Sequence, residues 1–204
     1  MKTIRTLSVL AASVLFAGAV HGETILQSYE DAGYTPTFFY AGNAWTTNAT
    51  ASGFEISGSA DNAGEDGFAN NIGVFNITAS GETDLALTLQ LGATNTATVV
   101  QVLLRNQGTS NVNRYQFDLS DFNTSTFTTI TMSLATPFQV DGAGVDLSSL
   151  DRLQIQGTGG NASGTIFDFT VGEVSVIPEP SAYSLLFGSV ALAMIALRRR
   201  FNKK

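Results

Sequence analysis

The feature of this sequence that most constrains its fold is a two-residue alternation of apolar and polar side chains. In "LALTLQL" (residues 85–91) the four leucines share one parity, and Ala86, Thr88 and Gln90 share the other. This is the period expected of a half-buried β-strand. The same alternation appears in "RYQFDLS" (114–120), "FTTITMSL" (127–134) and "LDRLQIQG" (150–157). A more continuously apolar run, "TVVQVLLR" (98–105), predicts a central strand.

The last strand pattern, "TIFDFTVGEVSV" (165–176), contains a change of parity. Phe167, Phe169 and Val171 share one parity, Val174 and Val176 share the other, and Gly172 lies between them. A β-bulge at Gly172 would return both sets to one face.

The spacing of the strand patterns predicts an all-β fold. Weaker candidates are "TILQSYE" (24–30), "GFEISGS" (53–59) and "IGVFNIT" (72–78). We find no helical period between residues 23 and 176. About eight strands at intervals of roughly 10 to 15 residues predict one domain, residues 23–177, folded as an antiparallel β-sandwich with jelly-roll topology.

The N-terminus predicts export. Lys2 and Arg5 precede an apolar run that ends in small residues, a pattern typical of a secretory signal helix. We expect a signal peptide over residues 1–22, cleaved after Gly22 or, as the second choice, after Ala19. The alternative is a retained membrane anchor, which the shortness of the run disfavours.

Charge and composition exclude several function classes. Residues 23–177 contain 16 acidic side chains and three arginines, a net charge of −13, which disfavours nucleic acid as a partner. The chain has no cysteine, and its single histidine, His21, lies in the predicted signal peptide. Catalysis and metal binding by histidine or cysteine are therefore excluded from the mature domain.

The C-terminus combines three parts in a fixed order. Pro178-Glu179-Pro180 comes first, the 17 uncharged residues 181–197 follow, and Arg198, Arg199 and Arg200 begin a basic tail over 198–204. As a helix, residues 181–197 span about 26 Å, close to the roughly 30 Å of a hydrocarbon core. The arginines would keep that end in the cytoplasm, so the sandwich would lie outside. Alternatively, the two prolines are a stiff spacer above an ordinary anchor.

This order of parts resembles the PEP-CTERM family of bacterial exported proteins. The resemblance covers residues 178–204. It implies that Pro178, Glu179 and Pro180 form a sorting motif, that 181–197 is a transmembrane helix, and that Arg198 to Arg200 form a cytoplasmic stop. It also implies an exosortase as the processing partner, transient anchoring in the inner membrane, and delivery to the cell surface or an extracellular matrix.

One polar cluster is a candidate metal site. In "SADNAGEDGFANN" (59–71), Asp61, Glu65 and Asp66 stand among amides and glycines, which supply the oxygens and the loop flexibility that Ca²⁺ requires. The spacing does not fit an EF-hand. A structural calcium is therefore the one cofactor that we consider, and a solvated turn is the alternative.

An aromatic cluster is a candidate sugar platform. "GYTPTFFYAGNAWTTNAT" (33–50) contains Tyr34, Tyr40 and Trp45 beside amide side chains. Aromatic rings can stack on sugars while amides bond to hydroxyl groups. The alternative is that these rings belong to the core of the sandwich.

The domain also resembles jelly-roll carbohydrate-binding modules of secreted bacterial proteins. The residues that carry this resemblance are "LQSYED" (26–31), the paired strand patterns at 114–120 and 127–134, "DLSSLDRLQIQG" (146–157) and "FDFTVGEVSV" (167–176). In such modules a carboxylate of the closing strand helps to hold calcium, and Glu173 stands here where an aspartate would be expected.

Three functions remain to be compared. The first is a non-enzymatic surface or matrix protein sorted by exosortase, and the second is a carbohydrate-binding module acting on exopolysaccharide. A glycosidase with paired carboxylates, such as Glu30 and Asp168, would need them about 5 to 10 Å apart. We expect no enzyme, because other catalytic groups are scarce.

Overall fold

The computed structural model describes residues 23–39, 45–59, 66–157 and 164–178. The prediction of an all-β fold is confirmed, because twelve strands in these ranges form two antiparallel sheets. Helix in the described residues is limited to one turn, Ile77–Ser80, and a 3₁₀ turn, Leu119–Asp121. No described helix is long and apolar enough to cross a membrane.

The strands divide equally between the two sheets. Sheet I consists of β1 (Thr24–Ser28), β3 (Trp45–Thr50), β4 (Gly53–Ser59), β6 (Glu82–Leu91), β9 (Thr128–Ser133) and β12 (Ile166–Pro178). Sheet II consists of β2 (Phe38–Phe39), β5 (Gly67–Phe75), β7 (Val99–Arg105), β8 (Val112–Asp118), β10 (Gln139–Asp141) and β11 (Leu150–Gln156).

Strand order confirms the jelly-roll prediction. Sheet I runs β3-β4-β12-β6-β9, with β1 also paired to β12, and sheet II runs β10-β8-β7-β11-β5-β2. The inner strands form the orders β4-β12-β6-β9 and β5-β11-β7-β8. The chain stays within one sheet only from β3 to β4, from β7 to β8 and from β10 to β11, and every other connection between described strands crosses to the other sheet. This is the double Greek key of a jelly roll.

The predicted bulge at Gly172 is confirmed. On β12, Val171 pairs with Leu89 and Glu173 pairs with the next residue, Thr88, so Gly172 is the extra residue. Its carbonyl accepts a hydrogen bond from the Tyr29 amide at 2.9 Å. The bulge keeps the apolar side chains on both sides of it, from Phe167 to Val176, in the core.

The core lies between the sheets and is built from the predicted parities. Leu85, Leu87 and Leu89 of β6 are fully buried and belong to the same core cluster as the rings of sheet II. Edge-to-face ring pairs extend the packing, as between Phe54 and Phe68 at 5.0 Å. The alternation in the sequence therefore predicts which side chains lie in the core and which lie on the two outer faces.

Several predictions concern residues outside the described ranges. These are the signal peptide (1–22), Tyr40, Asp61, Glu65, and everything from Glu179 onward, including the transmembrane helix and Arg198, Arg199 and Arg200. Of the predicted sorting motif the structure describes Pro178, which is the last residue of β12 and pairs with Glu82.

Candidate functional site

The candidate site is the outer face of sheet II, the face turned away from the core. Val100, Val102 and Leu104 of β7 lie in the core, so alternation places Gln101 and Arg105 on the outer side. The register places polar residues of β8 and β11 on both sides of β7. Gln101 pairs with Gln116 and Gln156, and the outward-facing Leu103 pairs with Arg114 and Gln154. Three strands thus present polar side chains on one surface.

Four glutamines on this face, which we call the glutamine chain, are linked by hydrogen bonds. The amide of Gln154 donates to Gln156 at 2.9 Å, Gln156 donates to Gln101 at 2.9 Å, and Gln101 donates to Gln116 at 3.1 Å. Arg105 Nη1 donates to Gln154 Oε1 at 2.9 Å and begins the series. All the donors point the same way, so each bond polarises the next.

The members of the glutamine chain differ in their accessibility. Gln101, Gln154 and Gln156 are exposed by no more than 3%, although they lie on the outer side of the sheet. Gln116 and Arg105 at the two ends are half-buried. The buried amides therefore hold the end groups in place, and a ligand would contact the ends.

An ion pair adjoins the glutamine chain. Arg114 Nε donates to Asp141 Oδ2 at 2.7 Å, and Gln139 Nε2 donates to Asp141 Oδ1 at 2.7 Å. The hydrogen bond from Arg114, followed by that from Gln139 and by the charges of Arg114 and Arg105, holds the pKa of Asp141 below its ordinary value. The carboxylate thus stays ionised and fixes the position of Arg114.

Trp45, predicted to belong to a sugar platform, lies in the core. Its side chain is 6% exposed and packs on the rings of Phe167 and Phe169, with centroids 5.2 and 6.2 Å away. This is the alternative considered for the aromatic cluster. In this structure the indole face is not accessible to a sugar ring.

Tyr34, the other described member of the predicted platform, is half-buried. Its ring contacts Tyr29 and Phe54 edge-to-face at 5.0 and 4.8 Å, and its hydroxyl donates to Asn70 Oδ1 at 2.6 Å. Burial raises the pKa of Tyr34, which keeps this donor protonated. The ring and the hydroxyl both have partners within the domain.

The calcium prediction falls mostly outside the described ranges. Of its three ligands only Asp66 is described; its side chain is 3% exposed, and its backbone carbonyl accepts from the Gly157 amide at 2.9 Å. Among the described residues, no three acidic, histidine or cysteine side chains are grouped so as to hold a metal ion. A calcium site at 61–66 therefore stays a prediction.

Asp168, one of the carboxylates considered for glycosidase chemistry, has a structural role. Its Oδ2 accepts from the Thr94 amide at 2.9 Å and from the Thr94 hydroxyl at 2.6 Å. Gly92 makes room for this carboxylate, because a Cβ at that position would lie 1.9 Å from Asp168 Oδ1. The Asp168 carboxylate thus stabilises the turn that contains Thr94, after β6, against β12.

Comparison with solved structures gives similarity of fold. A family 11 carbohydrate-binding module from Clostridium thermocellum, in complex with a β-1,3-1,4-mixed-linked tetrasaccharide, matches with a TM-score of 0.56 and 15% identity, over 77% of this chain and 96% of that chain. The fold is similar to that of carbohydrate-binding modules.

Two further solved structures support the same fold. The family 11 module of a cellulosomal cellulase from the same organism matches with a TM-score of 0.54 and 15% identity, over 77% of this chain and 95% of the module. An agarase matches with a TM-score of 0.57 and 10% identity, over 78% of this chain but 25% of the enzyme. No family model matches the sequence, and no curated protein matches it.

The glutamine chain is not recognisable from the alternation within single strands. The alternation in "TVVQVLLR", "RYQFDLS" and "LDRLQIQG" identifies the core residues and predicts only that the opposite parity faces solvent. The missed signal is that this parity holds glutamine and arginine in three separate strands. Only the register shows that these residues meet.

Proposed function

We propose that residues 23–177 form a non-catalytic carbohydrate-binding module on the outer face of sheet II. The observation that carries this proposal is the glutamine chain, which ends in the accessible polar groups of Gln116 and Arg105. The similarity in fold to carbohydrate-binding modules supports it by analogy.

The chemistry of the face suits sugars. Polysaccharides present rows of hydroxyl groups, each both a donor and an acceptor, and amide side chains supply both complements. The buried amides fix Gln116 and Arg105 before binding, which lowers the entropy lost when a ligand binds. A sheet face of three strands is also long enough for several sugar units.

Export is the second part of the proposal. The predicted signal peptide and the resemblance of residues 178–204 to sorting tails support a path across the inner membrane, brief anchoring, and exosortase processing. The module would then meet exopolysaccharide at the cell surface or in the matrix.

The binding proposal is tested with the full chain in mild detergent. We expect it to bind at least one polysaccharide of a panel that includes mixed-linkage β-glucan, agarose, alginate and polygalacturonate. Gln116→Ala should weaken binding about threefold to tenfold, the effect of one or two lost neutral hydrogen bonds. The measurement is biolayer interferometry against each immobilised polysaccharide.

The matched control is Thr46→Ala, because Thr46 is exposed on β3 of sheet I. It should bind like the unaltered chain, and thermal melts should show that both variants are folded. Absence of binding to every polysaccharide would contradict the proposed function, as would equal binding by the Gln116 variant.

A further inference from the structure

Arg105 stands at the donor end of the glutamine chain and sets its polarity. A guanidinium group has donors and no acceptor, so Gln154 turns its carbonyl oxygen, Oε1, toward Arg105 Nη1, 2.9 Å away. We propose, building on the function proposed above, that Arg105 is a positioning residue. Through the glutamine chain it makes Gln116 present its amide nitrogen as a donor to an acceptor oxygen of the polysaccharide.

The polarity passes from one amide to the next. Because Gln154 turns its Oε1 toward Arg105, its Nε2 faces Gln156 and donates to Gln156 Oε1 at 2.9 Å. The same constraint applies twice more: Gln156 Nε2 donates to Gln101 Oε1 at 2.9 Å, and Gln101 Nε2 donates to Gln116 Oε1 at 3.1 Å. The last amide in the series therefore has its oxygen occupied and its nitrogen directed away from the series.

Burial keeps the polarity from reversing. Gln101, Gln154 and Gln156 are exposed by no more than 3%, so water cannot satisfy a donor or an acceptor that loses its partner. A reversed series would place Gln154 Nε2 against the guanidinium of Arg105, two donors without an acceptor between them. An unsatisfied buried polar group costs more than one hydrogen bond contributes, and hydrogen bonds in series strengthen one another. One contact therefore orients four side chains.

Gln116 is the point where this polarity reaches the ligand. Its side chain is half-buried, and the bond that its Oε1 accepts from Gln101 is its only side-chain hydrogen bond within the described ranges. The Nε2 of Gln116 therefore keeps its donors for a ligand. An oxygen that only accepts, such as the ring or glycosidic oxygen of a sugar, complements this group.

Arg105 acts on Gln116 from a distance. Gln116 is the register partner of Gln101, which lies four residues before Arg105 on β7. At about 3.3 Å per residue this separation is about 13 Å. Substitutions at sites so far apart have additive effects unless the two residues belong to one hydrogen-bond network. Non-additive effects of the two positions would therefore report the connection.

The polarity is tested first without a ligand, by measuring side-chain amide exchange by NMR in the full chain, with isotope-labelled glutamine, in mild detergent. Arg105→Glu offers Gln154 an acceptor in place of a donor, so the series should reverse and Gln116 should donate to Gln101. The exchange of the Gln116 amide with water should then slow about threefold to tenfold, the effect of one net hydrogen bond. Arg105→Lys keeps a donor and should leave this exchange fast. Thr46→Glu, on sheet I, controls for the added carboxylate.

The effect on binding is tested with mixed-linkage β-glucan, agarose, alginate and polygalacturonate by biolayer interferometry. Gln116→Ala should weaken binding about threefold to tenfold in the unaltered protein. In the Arg105→Glu background it should weaken binding less than about twofold, because Gln116 there already lacks its outward donor. This comparison cancels any direct contact between Arg105 and the ligand.

Gln116→Glu is a second test that leaves Arg105 in place. It keeps an acceptor for Gln101 and replaces the outward donor by an acceptor, so it should lose as much affinity as Gln116→Ala. Thermal melts show which variants are folded. Unchanged exchange of the Gln116 amide in folded Arg105→Glu would overturn the inference. So would equal losses from Gln116→Ala in both backgrounds, or full affinity of Gln116→Glu. Each of these results would leave the proposed function standing, whereas binding to no polysaccharide would overturn that function and the ligand contact with it.

Discussion

At the scale of single residues, Glu173 of β12 lies near enough to Glu23 and Glu30 for their charges to affect it. Its pKa is raised first by burial and then by the negative charges of Glu23 and Glu30. Ser175 Oγ also donates to the Glu23 carboxylate. The ionised form of Glu173 is therefore disfavoured in the folded protein.

The raised pKa of Glu173 leads to a prediction about stability. A carboxyl whose folded-state pKa exceeds its unfolded value destabilises the fold above the folded pKa, and this penalty disappears as the pH falls to the unfolded value. Glu173→Gln should therefore raise the free energy of unfolding by about 0.5 kcal/mol near neutral pH, a small value because the site is partly exposed. Urea unfolding at about pH 7 and about pH 4 measures this.

The gain from Glu173→Gln should shrink at the acidic pH. Glu55→Gln, on the exposed outer side of β4, is the control and should change stability less. A variant that is less stable at neutral pH would contradict this account of Glu173.

At the scale of elements, strands with a clear alternation could be predicted, and those without one could not. β6, β8, β9 and β11 follow their patterns closely. β3 has no clear alternation because Trp45 is its only large apolar residue, and β10 is too short to show one because it has three residues. The pattern "IGVFNIT" predicts one strand, but β5 ends at Phe75, and Asn76 caps a helical turn by accepting from the Ala79 amide.

The bulge in β12 leads to a prediction about register. Deleting Gly172 would shift Val174 and Val176 to the outer face, because side chains alternate with a period of two. We expect this deletion to abolish cooperative unfolding. Gly172→Ala should be far milder, since a Cβ there meets the Phe127 ring at 3.2 Å, a contact that needs a small adjustment. Thermal melts by circular dichroism compare the two, and a deletion variant as stable as the alanine variant would refute the bulge's role.

At the scale of the whole molecule, the sequence predicted the class of fold but not the position of the site. The alternation specifies which residues face the core, and this was enough for a jelly roll. Which outward residues meet depends on pairing between strands far apart in sequence, as with Gln101 and Gln156. The aromatic cluster is recognisable in the sequence because its residues lie close together along the chain, whereas the structure places Trp45 in the core.

The junction between sandwich and tail leads to the last prediction. Pro178 is paired within β12, so a cut before it would remove a residue of the sheet. For the exosortase processing proposed above, we therefore expect cleavage after Pro178, which would release a sandwich with β12 complete. Intact-mass spectrometry of the exported protein, from cells with and without exosortase, should show loss of the tail in the first case alone. Pro180→Ala should reduce processing, whereas Pro36→Ala, outside the tail, should not. An identical mass in both cell types would contradict processing by exosortase.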